Sequence, residues 1–176
     1  MKKFSLAVCV LLAFAISALA QQQLKWIQFT EPNLKFAALF PSDPVRNAPD
    51  VSKGDDGSVR STGYLFVARS QDAYVAIAGR TDYNFTVDAE GELVADRDNF
   101  VKATRTKLMN SRRYDFSSGD EKLPAMDFSS EDDAWFYKGF FIVKGNNTYC
   151  ALFGHVRGQD YGSAAEKFLG SFEITK

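Results

Sequence analysis

Two runs in the last third of the chain are apolar on both of their faces, and they predict the centre of a β-sheet. The runs cover residues 135–144 and 148–156, and Gly145 and Asn146 between them suit a tight hairpin turn. Side chains alternate along a strand, so each face of both runs carries aromatic or aliphatic residues. A hairpin of this kind is expected in the middle of a sheet, with a further layer over each face.

The remaining pattern predicts a chain of short strands and two helices. Alternation predicts strands at residues 26–29, 36–40, 63–69, 73–80, 112–117, 125–129 and 172–175. Apolar residues repeat every seven positions from Val94 to Leu108, which predicts an amphipathic helix over 93–109 with Asp96 and Arg97 on its solvent face. A second helix is predicted over 163–169, and residues 44–60 are predicted to form a loop.

The first twenty residues have the pattern of a signal peptide. Lys2 and Lys3 precede an apolar run over residues 6–16, and Ala18-Leu19-Ala20 matches a cleavage site. We therefore predict a signal peptide over 1–20, a single domain over 21–176, and export to the periplasm or the extracellular medium. No later apolar run approaches the roughly 20 residues of a membrane span.

Charge and cysteine content narrow the possible functions. After residue 20, 19 Lys and Arg residues stand against 22 Asp and Glu residues without a basic run, which does not favour nucleic acid or anionic membrane as a partner. Cys150 is then the only cysteine, so no internal disulfide is expected, and its apolar neighbours predict a small buried side chain. His155, the only histidine, is five residues further along the same strand and should point to the opposite face, which argues against a Cys–His dyad.

Three acidic clusters and two loop aromatic residues are the remaining candidates for a site. The clusters lie at residues 55–56, 88–92 and 131–133, and we expect them to be solvated turns, because a metal ion needs several oxygens converging on one point. The first and third clusters would form a metal site only if the fold brought them together. Phe85 and Tyr161 would indicate a binding surface if they belonged to one exposed patch. Asn84 and Asn146 match the glycosylation pattern, which we attribute to chance.

Several short motifs together resemble one family. They are Trp26-x-x-Phe29, Phe36-x-x-x-Phe40-Pro41 with Pro44, the segment 119–128, the hairpin through Tyr149, and Ala165-Glu166-Lys167-Phe168 followed by Ser171-Phe172. On these residues the chain resembles small exported bacterial proteins of the PsbP-like superfamily, which share their fold with the oxygen-evolving accessory protein PsbP and a Ran-binding nuclear import factor. The chain departs from that pattern at Ser42 and Ala125, where the family often has glycine. The resemblance implies a sheet sandwiched between helices and supplies no catalytic residues.

The sequence thus predicts an α+β fold, in which one antiparallel sheet is flanked by helices as an α/β/α sandwich. The function expected is that of an exported, non-catalytic accessory or binding module, a monomer whose partner is an unidentified protein or small ligand. Two alternatives stay open: a divalent-metal-binding accessory protein and a carboxylate-dependent hydrolase. We predict no enzyme activity, no cofactor, and no catalytic, cofactor-binding or metal-binding residues.

Overall fold

The computed structural model describes residues 24–70 and 73–176, so the predicted signal peptide over 1–20 lies outside the described residues. In the described part of the chain, eleven strands and two helices follow one another. They are β1 (Ile27–Glu31), β2 (Phe36–Phe40), β3 (Val45–Arg46), β4 (Asp50–Lys53), β5 (Val59–Ser70), β6 (Tyr74–Tyr83), α1 (Ala89–Thr104), β7 (Lys107–Ser118), β8 (Glu121–Glu131), β9 (Trp135–Lys144), β10 (Asn147–Val156), α2 (Gly162–Gly170) and β11 (Glu173–Ile174).

Eight of these strands form one large antiparallel sheet. Its order is β3-β5-β6-β10-β9-β8-β7, and β4 also pairs with β5. The hairpin β9–β10 lies inside this sheet, flanked by β8 and β6, and Gly145 adopts a positive φ of 60° at its turn. The prediction of a central hairpin is therefore confirmed.

The prediction of a single sheet between helices is wrong. Strands β1, β2 and β11 form a separate three-stranded sheet, and most of the described chain is strand rather than helix. The small sheet and α2 together cover one face of the large sheet, where β2 contributes Phe36 and Phe40 to a core with Phe66 and Phe153. Because every residue of β2 except Leu39 is buried, this strand is enclosed between two layers, which isolated motifs in the sequence do not reveal.

Helix α1 covers the other face and begins and ends earlier than predicted. It packs on β8 and β9 over a second core that includes Leu93, Met126 and Phe141. Asp88 caps its first turn by accepting a hydrogen bond from the Gly91 N–H, and Arg105 ends it in the left-handed conformation. Strand β7 starts two residues later, so the sevenfold apolar repeat that predicted a helix to residue 109 runs across two different elements.

The predicted loop over 44–60 contains two short strands. Val45 pairs with Val67, and Val51 pairs with Thr62, so β3 and β4 both extend the sheet beside β5. All side chains of β3 and β4 are exposed. Neither strand therefore has an apolar face, and the sequence lacks the alternation of apolar and polar residues that predicts a strand.

Gly139 in β9 allows the backbones of β9 and β10 to approach closely. A Cβ atom at this position would lie 2.5 Å from the Ala151 carbonyl oxygen and 2.9 Å from Leu152 Cα. We expect Gly139→Ala to lower the free energy of unfolding by about 3 kcal/mol, because backbone atoms must move to accept the methyl group. Urea denaturation measures the effect. The control is Gly170→Ala at the end of α2, where no atom outside the adjoining residues and the backbone of the helix lies within 4 Å of the new methyl group; equal midpoints for the two variants would contradict the prediction.

Candidate functional site

Cys150 and His155 lie on opposite faces of β10, as predicted. Cys150 belongs to the core beneath α1, and burial raises the pKa of its thiol to about 12, so it is a buried thiol rather than a nucleophile. His155 lies on the other side, with its ring 6.1 Å from that of Tyr161 and 5.5 Å from that of Phe136. The two side chains therefore form no dyad.

One carboxylate in each of the three acidic clusters serves local structure. Asp56 accepts hydrogen bonds from Ser58, and Asp132 accepts them from the backbone N–H groups of Ala134 and Trp135. These hydrogen bonds lower the pKa of both carboxyl groups, more strongly than any other cause does. Asp88, in the second cluster, caps α1. Within residues 24–70 and 73–176, no group of three or more His, Cys, Asp and Glu residues is placed to hold a metal ion.

The first and third clusters do not converge. The turn over residues 55–56 leads into β5, whose residue Ser61 pairs with Tyr83 at the end of β6. The turn over residues 131–133 leads into β9, and its neighbour β10 brings His155 opposite Tyr74 at the start of β6. The length of β6 separates the two turns by about 30 Å.

The same separation along β6 prevents Phe85 and Tyr161 from forming one patch. Phe85 packs on Tyr83 at one end of β6, and Tyr161 packs on Tyr74 at the other. Phe85 is 37% exposed and lies beneath the guanidinium of Arg60. Each ring has a local packing role, so the two residues do not form the single exposed patch that would have indicated a binding surface.

A different surface appears where α1 leaves the large sheet uncovered. The helix packs mainly on β8 and β9, while β3, β5 and β6 carry apolar residues on the same face of the sheet. We call this surface the half-face; it consists of Val45, Leu65, Val67, Val75 and Ile77. One row of paired residues crosses it from Val45 to Val67 and Ile77 and ends at Leu152. Exposure along this row falls from 67% at Val45 to 6% at Leu152, because only the inner end lies near the helix.

The opposite face of the same two strands is fully covered. On β5, Phe66 is 4% exposed and Ala68 is 1% exposed, and on β6, Ala76 and Ala78 are completely buried. The half-face residues on these strands are only partly buried. The sheet thus presents an apolar surface on one side of β5 and β6 that the described chain covers only in part: Leu65 and Ile77 pack against the core beneath α1, whereas Val67 and Val75 lie outside it.

A polar cluster borders the half-face beneath the first turns of α1. The hydroxyl of Tyr83 donates a hydrogen bond to Glu92 Oε1, and the charge of Asp96 acts on Tyr83 and on Cys150. Thr148 lies on the same face of β10 as Cys150 and pairs with Thr81 of β6. Asp96 and Glu92 are four residues apart and therefore share one side of the helix.

The orientation predicted for Asp96 and Arg97 is wrong. Arg97 reaches the opposite flank of the helix, where it donates to Ser111 Oγ at 3.1 Å and contacts Met126 Sδ. Asp96 points towards β6 and β10. Val94, Val101 and Leu108 of the sevenfold repeat do pack against the second core, but Leu93, which the repeat leaves out, is the completely buried residue of the helix. An i, i+3, i+4, i+7 pattern beginning at Leu93 would have placed Asp96 and Arg97 on the sheet side.

Burial and the neighbouring charge of Glu92 perturb Asp96. Desolvation, followed by the nearby charge of Glu92, raises the pKa of Asp96 from 3.8 to about 7. Desolvation and the charges of both acids also raise the pKa of Tyr83, which therefore keeps its proton at neutral pH. Neither Glu92 nor Asp96 forms an ion pair with a Lys or Arg residue of the described chain. The cluster is acidic and lacks a counter-charge there.

Thr148 adds an unsatisfied polar atom to the cluster. The residue is 3% exposed, and its Oγ1 has no hydrogen-bond partner among the described residues. The hydroxyl lies close enough to Tyr83 to lower the pKa of the phenol somewhat, although the two oxygens do not meet in hydrogen-bonding geometry. An unpaired buried hydroxyl is costly, and a polar partner that reached this atom would relieve that cost.

Comparison with known proteins adds no identity. No family model matches the chain, and no curated protein matches it in sequence. Among the described residues, no helix combines the length and the apolar character needed to cross a membrane.

Proposed function

We propose that the protein is an exported, non-catalytic binding module and that the half-face is its binding surface. The observation that carries the proposal is the difference between the two sides of β5 and β6. One side is sealed by the small sheet and α2, and the other leaves branched aliphatic side chains partly in water. Burying such side chains yields roughly 25 cal/mol for each Å² removed from water, which favours a partner on this side.

The rigidity of the surface also supports binding. The half-face lies on long paired strands, with β5 paired to β6 over ten residues and β6 paired to β10 over nine. Side chains on such strands are held in place before a ligand arrives, which lowers the entropy cost of association. Membership of the PsbP-like superfamily stays a prediction and contributes no residue to this argument.

A carboxylate-dependent hydrolase is the second candidate, and one observation favours it. Asp96 has a pKa of about 7 beside Glu92, which is a suitable value for a general acid at neutral pH. The two carboxyl groups lie on one side of one helix, however, whereas glycosidases place their acids on either side of the scissile bond. The divalent-metal alternative has less support, because the turns over 55–56 and 131–133 lie at opposite ends of β6.

Val67→Asp should strongly reduce the amount of ligand that stays bound to the half-face during purification. A carboxylate at the centre of the half-face would be desolvated by any apolar partner, so we expect the occupancy of a co-purifying ligand to fall at least tenfold. The measurement is native mass spectrometry of protein purified gently from its own host, with circular dichroism to verify folding.

The matched control is Val51→Asp. Val51 is 45% exposed and pairs with Thr62, whose side chain lies on the opposite face of the sheet from Val67. Retention should be unchanged in this variant. A wild-type protein that carries no additional mass, or equal loss in both variants, would count against the half-face as the binding surface.

A further inference from the structure

We propose that the half-face binds a small amphipathic primary amine, whose ammonium group lies at Glu92 and Asp96 and whose apolar body lies along Leu65, Val67 and Ile77. This inference rests on the proposed binding function and adds the chemical class of the ligand. It is carried by the position of an acidic cluster without a counter-charge beside an apolar surface that the described chain covers only in part.

The acids lie on the flank of α1 that borders the half-face. Arg97 occupies the other flank, over β7 and β8, whereas Asp96 acts on residues of β6 and β10. Strand β6 also carries Ile77, so the acids and the half-face share one strand of the sheet. A ligand extending from α1 across β6 would therefore meet the carboxylates first and the aliphatic residues next.

The polar atoms match the needs of an ammonium group. A primary ammonium has three N–H donors and no acceptor. Glu92 and Asp96 offer anionic acceptors, and Thr148 Oγ1 offers a buried oxygen that no described residue bonds. An anionic or neutral head group would leave two carboxylates without a counter-charge, so the cluster selects for positive charge.

The spacing along β10 sets the length of the ligand. Thr148 is four residues from Leu152, which spans about 13 Å. Leu152 pairs with Ile77, so the inner end of the half-face lies about that far from the polar cluster. An extended alkyl chain of about eight carbons reaches from the acids to these aliphatic residues.

Ammonium binding should depend on pH through Asp96. The ionisable groups facing Asp96 are Glu92 on its own helix, Tyr83 on β6 and Cys150 on β10. The elements on which α1 mainly packs, β8 and β9, present the apolar side chains of Met126, Phe128, Phe141 and Val143 to it, and β9 also presents Tyr137, whose ring packs on Phe100. Deprotonated Asp96 attracts the ammonium, whereas the protonated form does not. Affinity should therefore rise as the pH rises through about 7.

The test is calorimetric titration of the full exported protein with three probes of equal chain length: n-octylammonium, 1-octanol and octanoate. At pH 8 we expect n-octylammonium to bind at least roughly tenfold more tightly than the other two, as a charge-assisted hydrogen bond would give. Asp96→Asn and Glu92→Gln should each weaken n-octylammonium binding roughly tenfold and leave 1-octanol unaffected. Binding of n-octylammonium should weaken about tenfold from pH 8 to pH 5.5 in the wild type, and hardly at all in Asp96→Asn.

The exposed Asp115→Asn is the matched control and should bind like the wild type. If 1-octanol binds as tightly as n-octylammonium and Asp96→Asn changes neither, the ammonium assignment is wrong and the binding function stands. If the protein retains a ligand from its host but binds none of the three probes, the assignment is again wrong. If it retains none and binds none, both proposals fail.

Discussion

Phe36→Ala should lower the free energy of unfolding by about 3–5 kcal/mol. Phe36 is completely buried in β2 and joins the small sheet to the large one, because its ring contacts Phe29, Phe66 and Phe172 at centroid distances of 6.1, 5.7 and 5.8 Å. Its removal opens a cavity between two sheets, and neither sheet can collapse into it without breaking strand pairs. Urea denaturation followed by tryptophan fluorescence measures the loss.

Phe85→Ala is the control for this prediction. Phe85 is 37% exposed at the end of β6 and lies outside both cores, so its removal should cost less than about 1 kcal/mol. Similar losses in the two variants would contradict the packing of the small sheet over the large one through Phe36.

Asp96→Asn should stabilise the protein at pH 8 by up to about 4 kcal/mol. The carboxyl group has a pKa of about 7 in the folded protein and 3.8 as its ordinary value. Between these pH values the folded state holds a proton that the unfolded state has released, so wild-type stability falls as the pH rises from about 4 to 7 and is level above. Asparagine is neutral at every pH, so the variant avoids this loss.

Urea denaturation at pH 4.5 and pH 8 measures the effect. We expect wild type and Asp96→Asn to be nearly equally stable at pH 4.5 and to diverge at pH 8, whereas Asp115→Asn should follow the wild type at both. A variant less stable than the wild type at pH 8 would show that the carboxylate has a stabilising partner. The same measurement serves as a folding control for the titration with n-octylammonium. If Asp96→Asn is more stable than the wild type, its weaker ligand binding cannot be attributed to unfolding.

Local sequence was sufficient for the elements that are regular along the chain. The hairpin β9–β10 could be predicted because apolar residues occupy both faces and Gly145 supplies the positive φ at its turn. The burial of Cys150 and its separation from His155 followed from alternation alone. Both arguments concern residues within one strand or one hairpin, where the covalent chain fixes the geometry.

The prediction of the first helix was wrong at its C-terminal end and in the orientation of Asp96. The repeat from Val94 to Leu108 spans the end of α1, a left-handed residue at Arg105 and the start of β7. The repeat included Val94 and Val101 but not the completely buried Leu93, so the predicted buried face was too narrow and left Asp96 on the solvent side. Glu92 was among the candidate acids over 88–92, but its neighbour Asp96 was missed for this reason, since the inner side of a helix is defined only once its ends and its neighbours are known.

The sequence by itself determined which segments pair locally, which side chains of a strand share a face, and that Cys150 has no disulfide partner after residue 20. The tertiary structure alone decided that β1, β2 and β11 form a second sheet, that α1 covers only part of the large one, and that Asp96 lies near Thr148. These features join residues far apart in sequence, and their free energy comes from apolar area buried between layers. That energy is non-directional, so no local pattern encodes which layer a segment joins.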